Sequence, residues 1–116
     1  MKHLESNIQS AFVTLFRLQY AHLRGLLFAI PNGSKRSVIT AVILKKEGVL
    51  PGVADIFLAV PNKTKHGLFL EVKSLKGKMS VYQEQFKREV ENQGYEYRVF
   101  RTPIDGLSIV KKYLKT

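Results

Sequence analysis

The sequence contains no cysteine, which excludes disulfide bonds, thiolate zinc sites and a cysteine nucleophile. No uninterrupted apolar run approaches the ~18–20 residues that a membrane-spanning helix needs. The first ten residues also lack the apolar core of a signal peptide. We therefore expect a soluble cytoplasmic protein, and its 116 residues suit one domain covering residues 1–116.

Acidic residues are scarce as well. Nine Asp and Glu stand against 19 Lys and Arg, so the formal net charge is +10. Such an excess predicts a polyanionic partner, because Lys and Arg side chains gain affinity by releasing the counterions of phosphates. Nucleic acid is the partner that this charge favours over a membrane surface, and a basic surface serving only solubility is the simpler alternative.

Apolar spacing and turn residues predict alternating helices and strands. Helical spacing covers residues 4–24, 37–46, 80–92 and a last segment from Thr102, where Thr102 is the cap and Pro103 the first turn. Short apolar or alternating runs predict strands at residues 26–30, 56–60, 68–72 and 95–101. The order α-β-α-β-β-α-β-α predicts an α/β fold with a mixed sheet flanked by helices.

The hairpin formed by residues 56–60 and 68–72 carries charged residues at the ends remote from its turn. Asp55 opens the first strand, while Glu71 and Lys73 close the second. Charges on a buried hairpin cost stability unless they are paired or liganded, so these three residues call for a functional explanation.

A register that sets Val60 opposite Leu68 would place Asp55 opposite Lys73. Asp55, Glu71 and Lys73 then share one face, because side chains alternate between faces with a period of two. Asp55 and Glu71 become diagonal neighbours with Cβ atoms roughly 7–8 Å apart. A slip of one residue would separate the three side chains.

Two carboxylates beside a Lys suit metal-assisted hydrolysis of a phosphodiester. Mg²⁺ prefers oxygen ligands and is usually held by one or two carboxylates plus substrate phosphate. Lys73 could stabilise the pentavalent anion, or orient and deprotonate the attacking water. The simpler interpretation of Glu71 and Lys73 is an ion-paired strand end.

Four basic residues and two polar pairs are further candidates. Glu5 and Gln9 lie four apart on one helical face, which is also typical of a solvated helix start. Gln83 follows Ser80 in the S-x-x-Q pattern of a capping box, yet it also faces the protein. Candidate nucleic-acid contacts lie beside a glycine turn and in the loop after Lys73: Lys35, Arg36, Lys76 and Lys78.

Together these motifs resemble the PD-(D/E)XK nuclease superfamily, and within it the virus-type replication–repair nuclease branch, the VRR-NUC domain. The likeness covers nearly the whole chain. It includes Glu5 with Gln9, PNG at Pro31 to Gly33, PGVAD at Pro51 to Asp55, EVK at Glu71 to Lys73, the Gly77–Lys78 loop, and S-x-x-Q at Ser80 to Gln83. The chain departs from the common pattern with Ala54 in place of a Pro and Phe86 in place of a Trp.

The resemblance implies an α-β-β-β-α-β core with an inserted helix, and a site that holds Mg²⁺ or Mn²⁺. Its implied ligands are Asp55, Glu71 and the Val72 carbonyl, and Lys73 is implied to be catalytic. Glu5 would support the metal through water, and Gln83 would orient Lys73 or the phosphate.

Stand-alone members that resemble this chain, often phage-encoded, look like homodimers acting on branched DNA such as Holliday junctions. The sequence thus predicts a Mg²⁺-dependent, structure-selective DNA endonuclease. A nucleic-acid-binding module without catalysis and a nuclease for flap or linear duplex DNA are the alternatives, because a fold does not decide the substrate.

Overall fold

The computed structural model describes residues 3–31 and 38–116. The helices are α1 (Leu4–Gln19), α2 (Val38–Lys46), α3 (Val81–Asn92) and α4 (Pro103–Lys115), and the strands are β1 (Leu27–Ala29), β2 (Ile56–Leu58), β3 (Leu68–Val72) and β4 (Glu96–Phe100). This order confirms the predicted α/β arrangement. The first helix is shorter than predicted, because the chain continues from Ala21 to Leu26 as a 3₁₀ helix.

The four strands form one mixed sheet in the order β1-β2-β3-β4. The pairs β1–β2 and β2–β3 are antiparallel, whereas β3 and β4 are parallel and are connected through α3. Parallel neighbours need such a crossover, which here places a helix directly after the predicted site residues.

The sheet has a helical layer on each face. Alternate side chains of the strands pack with α1 and α4 in the main core, whose buried members are Phe12, Phe16, Leu27, Ile56, Leu58, Leu68, Leu70, Val72, Phe100, Ile109, Val110 and Tyr113. On the opposite face, the ring of Phe69 meets the ring of Phe86 from α3 edge-on, with centroids 5.2 Å apart. Val72 therefore points into the main core, as predicted, while residue 71 faces the α3 side.

The hairpin register differs from the predicted one. Leu68 lies opposite Leu58, not Val60, so the pairing is displaced by two residues along β2. The strand β2 ends at Leu58, and the carbonyl of Val60 accepts a hydrogen bond from the Tyr113 hydroxyl at 2.6 Å. A displacement of two residues keeps every side chain on its predicted face, so Asp55 moves from diagonal to directly opposite Glu71.

Gly52 fixes how the chain enters β2. Its φ is +87°, and a Cβ there would lie 2.5 Å from the carbonyl carbon of Tyr82. Glycine alone tolerates this combination of backbone angle and close approach. The segment before β2 therefore presses against the first turn of α3, and Asp55 enters the sheet beside the start of that helix.

Helix α2 contributes no buried side chain over residues 39–46. Three of its apolar residues are exposed: Ile39 is 74% exposed, and Val42 and Ile43 are each about half exposed. In the described parts of the chain, none of the helices is both long and apolar enough to cross a membrane.

Candidate metal centre

The structure brings the three charged residues of the hairpin together. Asp55 lies just before β2, at the end of the sheet where β3 terminates. Its Oδ2 accepts a hydrogen bond from the Val72 backbone N–H at 2.8 Å. The Nζ of Lys73 lies 3.7 Å from Oε2 of Glu71. Because β2 and β3 are antiparallel, the start of β2 lies beside the end of β3. Asp55 and Glu71 therefore meet although they are sixteen positions apart in the chain.

Glu71 is the most constrained member of this group. Only 2% of its surface is exposed. Its Oε2 accepts a hydrogen bond from the Gln83 side-chain amide at 2.9 Å. Its Oε1 is buried and, among the described residues, has no hydrogen-bond partner. A buried carboxylate oxygen without a partner is costly, so this oxygen calls for a proton or a cation.

Burial and, after it, the charge of Asp55 raise the pKa of Glu71 to about 8, against the opposing effect of Lys73. Burial also raises the pKa of Asp55, and the hydrogen bond from Val72 partly offsets that effect. The two carboxyl groups are close enough to share a hydrogen bond when Glu71 carries the proton. The pair thus becomes fully ionised near neutral pH only with a compensating positive charge.

Gln83 joins the start of α3 to the carboxylate pair. Its Oε1 accepts a hydrogen bond from the Ser80 N–H at 2.9 Å, while the Ser80 hydroxyl accepts one from the Gln83 N–H, so the predicted capping box is present. The remaining Nε2 donates to Glu71. One end of the amide therefore caps the helix and the other reaches the site, where it contacts Glu71. That Gln83 orients Lys73 or the phosphate stays a prediction.

Glu5 contacts the chain just after Lys73. Its Oε2 accepts a hydrogen bond from the Ser74 N–H at 3.2 Å. Glu5 also lines a cleft of about 550 Å³, a size typical of ligand sites. Asp55 forms one part of the cleft wall, and α1 supplies the rest: Glu5, Ser6, Gln9, Ser10, Val13, Thr14 and Arg17. The carboxylate pair is thus open to solvent on its Asp55 side.

Comparison with known proteins identifies the family that shares these features. The family model of the VRR-NUC domain matches residues 2–102. The chain belongs to the VRR-NUC domain family. A solved structure described as a VRR_NUC domain protein superimposes with a TM-score of 0.83 at 20% sequence identity, covering 96% of this chain and 88% of that one. No curated protein matches the chain.

The donor set of this VRR-NUC domain fits a hard divalent cation. Among the described residues, no group of three or more His, Cys, Asp or Glu side chains could hold a metal. That finding disfavours zinc, which takes three or four protein ligands. Mg²⁺ needs less from the protein, since one or two carboxylates suffice when water and substrate oxygens complete the shell. Glu71, with its unpartnered Oε1, and the neighbouring Asp55 are two such carboxylates.

The VRR-NUC site also contains residues that the sequence did not single out. Tyr97 lies on the same sheet face as Glu71, is 2% exposed, and has a hydroxyl with no partner in the described part of the chain. Burial and the nearby Glu71 charge raise the pKa of this hydroxyl.

The sequence also did not single out Arg17 and its polar neighbours on α1. Their spacing at positions 6, 10, 14 and 17 is a helical stripe that the sequence does contain.

The predicted nucleic-acid contacts divide into two groups. Lys76 and Lys78 are exposed in the loop that follows β3. Lys35 and Arg36 lie outside the described residues, as do Asn32 and Gly33 of the PNG segment. His3, His22 and His66 are exposed and lie apart from the carboxylate pair, as expected for surface residues.

Proposed function

We propose that this VRR-NUC domain is a Mg²⁺-dependent, structure-selective DNA endonuclease that hydrolyses phosphodiester bonds in branched DNA such as Holliday junctions. The observation that supports it most is the buried Glu71 carboxylate, whose Oε1 has no hydrogen-bond partner among the described residues and whose Oε2 lies 3.7 Å from the Lys73 ammonium. A purely structural ion pair would not need a second carboxylate and an unfilled oxygen.

Asp55, Glu71 and the Val72 carbonyl would hold the Mg²⁺, for which Mn²⁺ should substitute. The ion would polarise the phosphoryl group and neutralise charge on the leaving oxygen. Lys73 would donate hydrogen bonds to oxygens that gain negative charge as water attacks phosphorus, or orient that water. Gln83 holds Glu71 in place by donating to its Oε2, which leaves Oε1 available for the cation.

Positive charge supports DNA as the substrate. The net charge of +10 favours binding to a phosphate backbone through counterion release. Lys76 and Lys78 are the exposed cations nearest in sequence to Lys73, and we assign them to backbone contacts, together with Lys35 and Arg36. Binding should therefore weaken steeply as the salt concentration rises, for all DNA sequences alike.

We also propose that two copies act together, since symmetric cutting of a four-way junction needs two sites related by a two-fold axis. The exposed side chains of Ile39, Val42 and Ile43 on α2 support such pairing, because clustered exposed apolar residues often mark an interaction surface. Sedimentation should show a dimer that Ile39→Asp dissociates. A monomeric wild-type protein would contradict the pairing but not the chemistry.

The chemistry is tested with a labelled four-way junction in the presence of Mg²⁺. Glu71→Gln and Lys73→Met should each lower the cleavage rate by about 10²-fold or more, because each removes an electrostatic contact from the reacting centre. Glu91→Gln and Lys87→Met are matched controls, since these residues form an exposed ion pair on α3. Cleavage by the site variants at the wild-type rate would refute the assignment.

The same protein should be compared on junction, flap and linear duplex DNA. Faster cleavage of the junction supports branched DNA as the substrate, and faster cleavage of flap or duplex would replace that choice while keeping the nuclease. Salt-sensitive binding without cleavage, indifferent to Mg²⁺, would instead identify a binding module without catalysis.

A further inference from the structure

The loop of residues 74–78, which follows Lys73 directly, has almost no apolar packing of its own. Leu75, its one large apolar residue, is 77% exposed, and the side chains of Lys76 and Lys78 are exposed as well. A loop without buried apolar contacts is normally mobile. Polar contacts must therefore hold the chain where it leaves the site.

The main polar contact comes from Arg101, the first residue after β4. Its Nη1 donates hydrogen bonds to the carbonyl oxygens of Ser74 at 2.6 Å, Gly77 at 2.8 Å and, more weakly, Leu75 at 3.3 Å. Hydrogen bonds from a charged donor are about twice as strong as neutral ones. Among the described residues, no carboxylate forms a salt bridge with Arg101, so its guanidinium is committed to this backbone turn.

A second contact holds the loop from the opposite side. Glu5 accepts from the Ser74 N–H at 3.2 Å, and the Gly77 N–H closes the turn onto the Ser74 carbonyl at 3.0 Å. A Cβ at Gly77 would lie 3.1 Å from the Ser74 hydroxyl oxygen and 3.3 Å from Oε2 of Glu5. The turn is therefore packed tightly between α1 and Arg101.

We propose that Arg101 is a positioning residue for the nuclease reaction, which holds the 74–78 turn so that Lys73 and Glu5 keep their places at the site. The inference rests on the proposed function. The backbone N–H of Lys73 already bonds to the Phe100 carbonyl at 3.0 Å, next to Arg101, so one short segment fixes Lys73 on both sides of its Cα. The metal ligands Asp55 and Glu71 precede this turn and do not depend on it.

This arrangement has a kinetic signature that a general loss of stability lacks. Arg101→Met should lower kcat for junction cleavage by about 10- to 100-fold, since a displacement of about 1 Å at a reacting group costs that much. The Mg²⁺ concentration at half-maximal rate should stay within about twofold, because the side chains of Asp55 and Glu71 come before the turn in the chain. Arg101→Lys, whose ammonium keeps up to three donors, should recover part of the lost rate.

Arg98→Met is the matched control. It removes the same charge three positions earlier, at an exposed side chain whose salt bridge in the described part of the chain is with Glu96, and it should leave kcat unchanged. Assays should run below the unfolding temperature of each variant, with rates expressed per folded molecule. An unchanged kcat in Arg101→Met would overturn the proposal. A raised KM with a smaller salt dependence and an unchanged kcat would overturn it too, because that combination would identify a direct phosphate contact in place of a positioning role.

Amide hydrogen exchange separates this inference from the proposed function. If wild-type protein cleaves no DNA structure, the proposed function fails. The turn can still be tested by the exchange of the Ser74 and Gly77 amides. Arg101→Met should speed their exchange at least tenfold while leaving the amides of β2 unchanged. Wild-type protection in the variant would show that Arg101 does not hold the turn.

Discussion

The raised pKa of Glu71 leads to a prediction about proton release on Mg²⁺ binding. With a pKa of about 8, the carboxyl group is mostly protonated at neutral pH in the absence of a cation. A metal ligand must be ionised, so Mg²⁺ has to displace this proton. The apparent Mg²⁺ affinity should therefore rise about tenfold per pH unit up to about pH 8 and level off above it.

Titration calorimetry measures both parts of this prediction. At pH 7, repeating the titration in Pipes and in Tris should show release of roughly one proton per Mg²⁺ bound, because the two buffers differ in ionisation enthalpy. Glu91→Gln should give the wild-type profile, since that carboxylate is exposed on α3. An affinity that is equal at pH 6.5 and pH 8.5, with no proton released, would refute the reasoning.

The same pKa has a consequence for stability without Mg²⁺. The folded pKa of about 8 exceeds the ordinary glutamate value of 4.5, so the folded state binds more protons between those values. The contribution of Glu71 to the free energy of unfolding is therefore greatest below pH 4.5. This contribution falls as the pH rises and is fully lost above about pH 8. The slope is at most about 1.4 kcal/mol per pH unit. Glu71→Gln should remove this slope in guanidinium unfolding experiments, and an unchanged slope would contradict the assignment.

Three further predictions concern stability and the cap of α3. Gly52→Ala should cost about 2 kcal/mol or more in guanidinium unfolding, because it combines a positive φ with a backbone clash. Gly48→Ala, with a positive φ but open space around it, should cost clearly less. Ser80→Ala and Gln83→Ala should each lower the free energy of unfolding by about 1 kcal/mol, because each removes part of the cap of α3. Only Gln83→Ala should also lower kcat, because only Gln83 contacts Glu71. Equal kcat values for the two variants would contradict this role of Gln83. Tyr97→Phe should change the free energy of unfolding by less than about 1 kcal/mol, since its hydroxyl lacks a partner in the described chain, and a larger loss would reveal one.

Local patterns were enough to predict the elements of this fold. Apolar periodicity located the helices and strands, and the caps at Ser80 and Thr102 lie where their side chains bond the first turns of α3 and α4. These features depend on residues close together in the chain, so the sequence carries them directly. The same holds for the shared face of Asp55, Glu71 and Lys73, which follows from the period of two.

The hairpin register could not be obtained in that way. The chain after β2 makes contacts that are distant in sequence, such as the hydrogen bond that the Val60 carbonyl accepts from the Tyr113 hydroxyl, 53 positions later. Asp55, Glu71 and Lys73 still share one face of the sheet, because the register is displaced by two residues, an even number. Had it been one residue, the hairpin would have presented Asp55 and Glu71 to opposite layers.

The sequence by itself determined the alternation of elements, the basic charge and the residue types at the sheet edge, because each of these is a property of neighbouring positions. Only the tertiary structure decided the environment of those residues. Burial and the facing Asp55 shift the pKa of Glu71, and Arg101 reaches a turn that lies 24 to 27 positions earlier. Such effects arise from contacts across layers, and no local pattern encodes which distant side chain fills a given space.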